Sequence, residues 1–371
     1  MSDSPNHANR RRFLKCAALA GAAASTLPAP AIAQSMPELK WRMPLFIPKT
    51  VESVMFAVND LVKFVSDATD GKFQLQPFGA GEIVPGGPAV LNAAESGQTE
   101  CAMTLSYYSF GKDPAYAFGS CLPFGFNWRG QTSWLFKAGG IQLLNEFHNA
   151  NGTHALPAFN SMAQMGGFFR KEINTVADMK GIKMRIPGLA GTVISKLGVV
   201  PQQIAPGDIY PALERGTIDA AEWATPYDDF KFGFHKVAKY YYAPGWWEGQ
   251  ATGCLFVNKA KWDELPKLYK NILEMATMAT WTAHAASNDT LNSGGLRSLL
   301  ANGTQLRFFS KEIMDAAYEA SFQTYDELKA KSPAFAKIYD PWKKYLDSVE
   351  LYYRVGDATY DNYIYEKRVK G

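Results

Sequence analysis

Leu213-Glu214-Arg215-Gly216-Thr217-Ile218-Asp219-Ala220-Ala221 repeats, almost position by position in residue type, an earlier stretch, Ala94-Glu95-Ser96-Gly97-Gln98-Thr99-Glu100-Cys101-Ala102. In each copy a helix stops at Gly, which takes the left-handed C-cap conformation without a Cβ penalty. An apolar strand carrying one acidic residue follows. Two such units predict two similar α/β lobes facing each other across a cleft. Helix–Gly–strand turns are common in α/β proteins, so the repeat only directs the reading of what surrounds it.

Ahead of the first copy, residues 39–45 read as a short strand. A helix from Val51 carries Val54, Val58, Leu61 and Val65 on one stripe, at helical spacing. Asp70-Gly71 makes a turn, residues 72–78 alternate like a strand, a helix runs from Pro88 to Gly97, and residues 99–105 form a strand. This βαβαβ order predicts a parallel sheet with helices on both faces.

Ahead of the second copy, Thr175-Val176-Ala177-Asp178 has the form of a capping box. Gly181 then precedes a strand over 182–186, with Ile182, Met184 and Ile186 on the face opposite Arg185. A second strand over 217–222 ends in Glu222-Trp223. Further on, Pro266 opens a helix through Ile272, Met275, Ala279 and Thr282. Residues 305–309 form a strand, and Ser310 is a candidate N-cap for a helix with Met314, Ala317, Tyr325 and Leu328 on one face. Pro333 and Pro341 punctuate its end. The tail is rich in tyrosine: Tyr352, Tyr353, Tyr360, Tyr363 and Tyr365.

The 371 residues, 20% charged and 47% hydrophobic, describe a folded globular protein of two or three domains. The N-terminus is a separate matter. Asn9-Arg10-Arg11-Arg12-Phe13-Leu14-Lys15 resembles the twin-arginine export motif, and an Ala-rich stretch to Thr26 and a small-residue site at Ala31-Ile32-Ala33 follow it. The apolar stretch is shorter than the ~18 residues that a membrane helix needs, and no later stretch reaches that length. Residues 1–33 are therefore read as a cleaved signal. They carry Arg10, Arg11, Arg12, Lys15 and Asp3, a net +3, so the formal +3 of the whole chain falls to zero. No basic stripe remains for a nucleic-acid partner.

Cys101, Cys121 and Cys254 remain after the signal. They read either as buried small apolar residues or, for the first two, as a Cys101–Cys121 bridge. None has the spacing of a haem, zinc or redox motif. Catalytic signatures are missing as well: no nucleophile elbow, P-loop, dinucleotide fingerprint or H-E-x-x-H. The histidines outside the signal (His148, His154, His235 and His284) are scattered. What stands out is Arg185, near a strand end where ligands of α/β sheets collect. Its fork of donors suits a carboxylate. Glu222 ends the neighbouring strand, so a plain Arg–Glu ion pair is the competing reading.

From about Trp41 to its C-terminus the chain resembles the DctP-type solute-binding subunit of tripartite ATP-independent periplasmic (TRAP) transporters. Asp178-Met179-Lys180-Gly181-Ile182-Lys183-Met184-Arg185 and Gly216-Thr217-Ile218-Asp219-Ala220 carry the match. A branch that binds 2-oxo acids with a metal ion is closer still. Its signatures stand here as Tyr107-Tyr108, Gly111-Lys112-Asp113-Pro114, Gln164-Met165-Gly166-Gly167, Gly198-Val199-Val200-Pro201-Gln202-Gln203, Glu222-Trp223 and Pro244-Gly245-Trp246-Trp247-Glu248-Gly249. The chain departs from the branch at Phe159, Ser161 and Met162, which surround Asn160 where smaller residues are expected.

The resemblance implies a two-lobed α/β fold of the type II binding-protein kind, with parallel or mixed sheets, a hinge and a long C-terminal helix. Residues 34–164 and 247–300 would form one lobe, and 165–246 and 301–371 the other. It also implies that Arg185 holds the ligand carboxylate, with Gln164, Trp223, Tyr107, Tyr108 and Asn160 around it. Gln164, Glu222, the Trp223 carbonyl and Glu248 would hold a cation, sodium or calcium, that bridges to the substrate. A bare Glu222 would repel a bound carboxylate, so a hard, oxygen-held cation is its natural mediator. The function implied is capture in the periplasm of a small 2-oxo or 2-hydroxy monocarboxylate, such as pyruvate, and its delivery to TRAP membrane subunits, without catalysis. Two other readings remain open: an exported enzyme acting on such acids, and a binding subunit serving a chemoreceptor. The aromatic tail is expected either to form a homodimer through the C-terminal helix or to fold back on its own lobe.

Overall fold

The computed structural model describes residues 36–368. The export signal read at 1–33 lies outside them. Strand β1 (Leu39–Pro44) pairs in parallel with β2 (Phe73–Phe78) across the helix Glu52–Asp67. That helix buries Val54, Val58, Leu61 and Val65, the stripe expected from their spacing. The helix Pro88–Glu95 leads into β3 (Cys101–Thr104).

The expected parallel sheet is corrected here. A single parallel bridge, Leu45 to Met103, ties β1 to β3. The main partner of β3 is β10 (Thr252–Asn258), which inserts antiparallel between β3 and β4 (Thr153–Asn160). All seven residues of β10 are buried. Such a short apolar run has no period by which to tell strand from helix.

The remaining strands form one mixed sheet: β5 (Gly167–Phe169), β6 (Lys183–Arg185), β7 (Val200–Gln202), β8 (Ala220–Ala221), β9 (Tyr240–Ala243) and β11 (Gln305–Phe308). Their order is β11-β9-β5-β8-β6-β7, with β7, β6 and β8 parallel. The two copies of the sequence repeat fall one in each sheet system. Both turn at a left-handed glycine, Gly97 (φ 76°) and Gly216 (φ 68°). The capping box forms at Thr175, whose hydroxyl takes the Asp178 N–H while the Asp178 carboxylate takes the Thr175 N–H.

The chain passes between the sheet systems at residues 161–166, at 244–251 and through the 35-residue helix Lys267–Ala301. The buried face of that helix differs from the expected one. Tyr269, Leu273, Ala276, Thr280 and His284 point inward, and Met275 is 71% exposed. The true stripe mixes polar with apolar residues because it covers a hydrogen-bonded junction. Ser310 caps Lys311–Lys331 as expected, taking the Ile313 N–H. Pro333 opens the next helix, Pro333–Val355, but Pro341 lies inside it instead of ending it. The last helix, Asp357–Arg368, buries nothing.

Tyr352, Tyr360, Tyr363 and Tyr365 stay about three-fifths exposed (59–64%), so these four do not fold back onto the core. Cys101, Cys121 and Cys254 are all buried free thiols, without the Cys101–Cys121 bridge. Among the described residues no helix is long and apolar enough to cross a membrane.

Candidate functional site

β6 and β8 lie side by side in parallel, with Arg185 opposite Ala221. The residue after Ala221 therefore sits beside the arginine, and the Glu222 N–H bonds to the Arg185 carbonyl at 3.1 Å. Arg185 Nη1 donates to the Glu222 carbonyl at 2.8 Å and to Glu222 Oε1, while Nε reaches the Ile204 carbonyl at 3.4 Å. Both side chains are buried, and the guanidinium lies 5.4 Å from the Trp223 ring centroid. The ion pair weighed at sequence level exists, but it satisfies only half of the glutamate. Among the described residues Glu222 Oε2 is buried with no hydrogen-bond partner.

The crossing segments supply the rest. Residues 161–166 and 244–251 run against each other, through Gln164 N–H to Glu248 O (3.1 Å), Gly245 N–H to Gln164 O (3.0 Å) and Ser161 N–H to Ala251 O (3.0 Å). This close approach needs glycine at 245, because a Cβ there would lie 2.6 Å from the Met165 carbonyl. Gln164 donates its amide to Ser161 Oγ at 3.0 Å, which leaves Gln164 Oε1 buried without a partner. Glu248 Oε2 is in the same condition, beside the Cys121 thiol.

Three buried oxygens without donors in one neighbourhood are costly, because each forfeits its hydration unrepaid. Burial pushes the Glu222 carboxyl up to about 7 against the pull of Arg185. Burial, then the charge of Glu222, raises Glu248 well above the carboxylate range. Burial pulls Arg185 down, but Glu222, the two tyrosines and Glu248 outweigh it, so the guanidinium stays charged. Among the described residues no trio of His, Cys, Asp and Glu is placed to hold a metal. A set of two carboxylates, an amide oxygen and the Trp223 carbonyl, which takes no backbone hydrogen bond, instead fits a hard cation that binds oxygen alone.

A pocket of about 50 Å³, lined by Tyr107, Tyr108, Ser161, Gln164, Trp223 and His284, lies between the sheet systems. Beyond Tyr108 a larger cavity of about 460 Å³ reaches Arg185. Asn160 belongs elsewhere. Its side chain is taken by Gln250 Oε1 (2.5 Å) and the Met162 N–H (2.9 Å), and its carbonyl by His284 Nδ1 (2.9 Å) and Asn288 (3.0 Å). It braces the crossing segment instead of lining the pocket.

Sequence reasoning missed His284 and Asp228, which also line that pocket, and named Ser161 only as a departure beside Asn160. His284 lies on the inward stripe of the long helix, and only the period of the mixed polar positions could have exposed it.

The family model described as bacterial extracellular solute-binding protein, family 7, matches residues 49–332. The chain is 42% identical over 359 residues to a monocarboxylate 2-oxoacid-binding periplasmic protein of Nostoc, covering 95% of this chain and 98% of that one. It superposes with a TM-score of 0.87 on a TRAP transporter solute-binding protein of Bordetella bronchiseptica, at 44% identity over 89% of this chain and 98% of that one. That protein is a dimer of mixed occupancy, with co-purified calcium and picolinate in one active site and the other apo. A TRAP periplasmic solute-binding protein of Pseudoalteromonas atlantica, with bound sodium and pyruvate, gives a TM-score of 0.83 at 33% identity over 88% and 99% of the two chains.

Proposed function

The chain belongs to bacterial extracellular solute-binding protein family 7, and from that membership we propose that it captures a small 2-oxo or 2-hydroxy monocarboxylate together with a cation and passes it to TRAP membrane subunits. One observation supports this most: Gln164 Oε1, Glu222 Oε2 and Glu248 Oε2 are buried without partners beside a buried Arg185. Arg185 grips the carboxylate, and Tyr107, Tyr108 and Trp223 close around it. The cation, when bound, neutralises the glutamates and polarises the acid's oxygens. The protein acts as a carrier without catalysis.

Arg185, two ionised glutamates and a bound carboxylate sum to −2, which a divalent ion cancels. With Glu248 protonated, the state its burial favours, the sum is −1, which sodium cancels. The calcium in the Bordetella relative and the sodium in the Pseudoalteromonas relative mark the two options.

The two sheet systems act as lobes, 34–164 with 247–300 and 165–246 with 301–371. They close because the ligand touches both, which shifts an open–closed equilibrium. Export to the periplasm by the twin-arginine route follows from Arg10-Arg11-Arg12-Phe13-Leu14-Lys15.

Assembly as a homodimer follows from the C-terminal helices, where Leu351 and Val355 are 70% and 69% exposed beside the open tyrosines. A patch of this kind marks an interaction surface. Light scattering at micromolar concentration should give twice the chain mass, and a monomer mass refutes it.

The binding reading is tested by thermal shift of chelated protein with 2-oxo and 2-hydroxy acids, each with and without calcium or sodium. Stabilisation that needs acid and cation together is expected, since a bound ligand raises stability by mass action. No shift with any pair refutes it.

A further inference from the structure

We propose that Ser161 is the positioning residue that makes Gln164 a cation ligand, because it fixes which end of the Gln164 amide is free. The proposal rests on the reading of Gln164, Glu222 and Glu248 as a cation site. An amide presents two ends of nearly equal size and opposite chemistry: an oxygen that binds a cation and an NH2 that repels one. Something must choose between them.

The choice follows from counting the partners of one hydroxyl. Ser161 Oγ takes the Ala251 N–H at 2.9 Å and stands 3.0 Å from the Met162 carbonyl. A carbonyl only accepts and a hydroxyl carries one proton, so that proton goes to Met162. Met162 has φ 62° and lies outside any helix or strand. Among the described residues no backbone N–H reaches its carbonyl, which leaves it to the serine. With its proton spent, Oγ can only accept from the Gln164 side chain, 3.0 Å away. The NH2 must therefore face Ser161, and Oε1 is the end left buried without a partner.

The empty site pulls the other way. Glu222 Oε2 and Glu248 Oε2 are buried without hydrogen-bond partners, and a turned amide would set an NH2 among them. That turn would satisfy the empty site and close it to a cation. Ser161 holds the amide against it, so the binding orientation exists before the ligand arrives and binding is spared the cost of reorganisation. Ser161 also gives its own N–H to the Ala251 carbonyl at 3.0 Å. Backbone and side chain of the orienting residue are thus both fastened to the 244–251 crossing.

The test is a double-mutant cycle between Ser161→Ala and Gln164→Glu. It is read by calorimetry of chelated protein titrated with calcium or sodium at saturating pyruvate. Alone, Ser161→Ala should weaken cation affinity about ten-fold, the effect of losing one hydrogen bond. A glutamate at 164 has oxygen at both ends and no orientation to lose. In the Gln164→Glu background the same change should therefore cost less than about two-fold. A merely structural role costs the same in both, since the Ala251 N–H loses its acceptor in each. Ser161→Cys keeps the size of the side chain with a weak acceptor, and should follow the same pattern if the alanine variant does not fold. Equal losses in the two backgrounds, or unchanged cation affinity in Ser161→Ala and Ser161→Cys, overturn the role of Ser161 and leave the cation site standing. So does a Gln164→Glu protein that binds no cation, because either end of that side chain offers an oxygen. Failure of the wild type to bind either cation overturns the site itself, and the role of Ser161 with it.

Discussion

Replacing Glu222 by Gln keeps the shape of the side chain and removes its charge, and the structure dictates how the new amide must turn. Arg185 Nη1 donates to Oε1, so the glutamine oxygen stays on that side, because two donors cannot face each other. Its NH2 then takes the place of Oε2, the buried atom without a partner. A donor now points where a cation would be held. Exchanging a charged partner for a neutral one costs about 1.5–3 kcal/mol, roughly 10- to 150-fold in Kd. Thermal unfolding with calcium added to chelated protein reads this directly. At about 2.1 cal/mol/K per residue, a chain of this size has an unfolding entropy near 0.7 kcal/mol per degree. At one hundred times its Kd, calcium adds about 2.7 kcal/mol, which raises the Tm of the wild type by about 4 °C. At the same concentration, Glu222→Gln with a Kd weakened about 100-fold should gain less than about 1 °C. A full calcium shift in the variant, or cation-independent acid binding by the wild type, would reduce Glu222 to a counter-ion of Arg185.

Arg185→Ala should weaken acid binding by about 10- to 150-fold. Nη1 and Nε are engaged by Glu222 and Ile204, and the Nη2 arm left for the acid makes a charge-assisted hydrogen bond worth about 1.5–3 kcal/mol. Arg185→Lys should fail as well, because an ammonium cannot reproduce the fork; calorimetry showing near wild-type affinity in either removes Arg185 from the site. Gly245→Ala places a Cβ 2.6 Å from the Met165 carbonyl and should cost about 1–3 kcal/mol of stability along with cation affinity. An unchanged melting curve would show that the crossing segments have room to part. Asp229 takes the Tyr241 hydroxyl at 2.5 Å, with Asp228 and Glu222 as its acidic neighbours, and burial pushes its carboxyl up to about 8 from 3.8. Its contribution to stability is complete below the unfolded value and is lost as pH rises through about 8. Asp229→Asn should therefore gain Tm relative to the wild type between pH 5 and pH 9, and a difference independent of pH refutes the shift.

The local signals in the sequence reported local structure well. The stripe Val54-Val58-Leu61-Val65, the box at Thr175 and Asp178, the Ser310 cap and the glycine stops at 97 and 216 each depend on neighbours within one or two turns. Arg185 and Glu222 were legible together because they stand at the ends of the two strands read at 182–186 and 217–222, on either side of one helix–Gly turn. Non-local pairing was not legible. The sequence of β10 carries no mark that it inserts between β3 and β4, because an all-buried strand has no alternation to read. Pro341 looked like a terminator because a proline removes one helix hydrogen bond, yet packing of the Pro333–Val355 helix through Phe335, Ile338, Tyr339 and Trp342 holds the helix through it.

The residue types of the site are present in the unfolded chain, since an arginine fork, two glutamates and an amide are chemical facts before any folding. Which of their atoms are free depends on the packing of the folded chain. Asn160 and Gln164 are both buried amides flanking the same crossing, but the Asn160 side chain is consumed by Gln250 and the Met162 N–H, while Gln164 keeps Oε1 without a partner. Hydrogen-bond satisfaction depends on which groups arrive from distant segments, here the 244–251 crossing and the long helix. A side chain's chemistry is inherited from the sequence, but its vacancy for a ligand is set by what packs beside it.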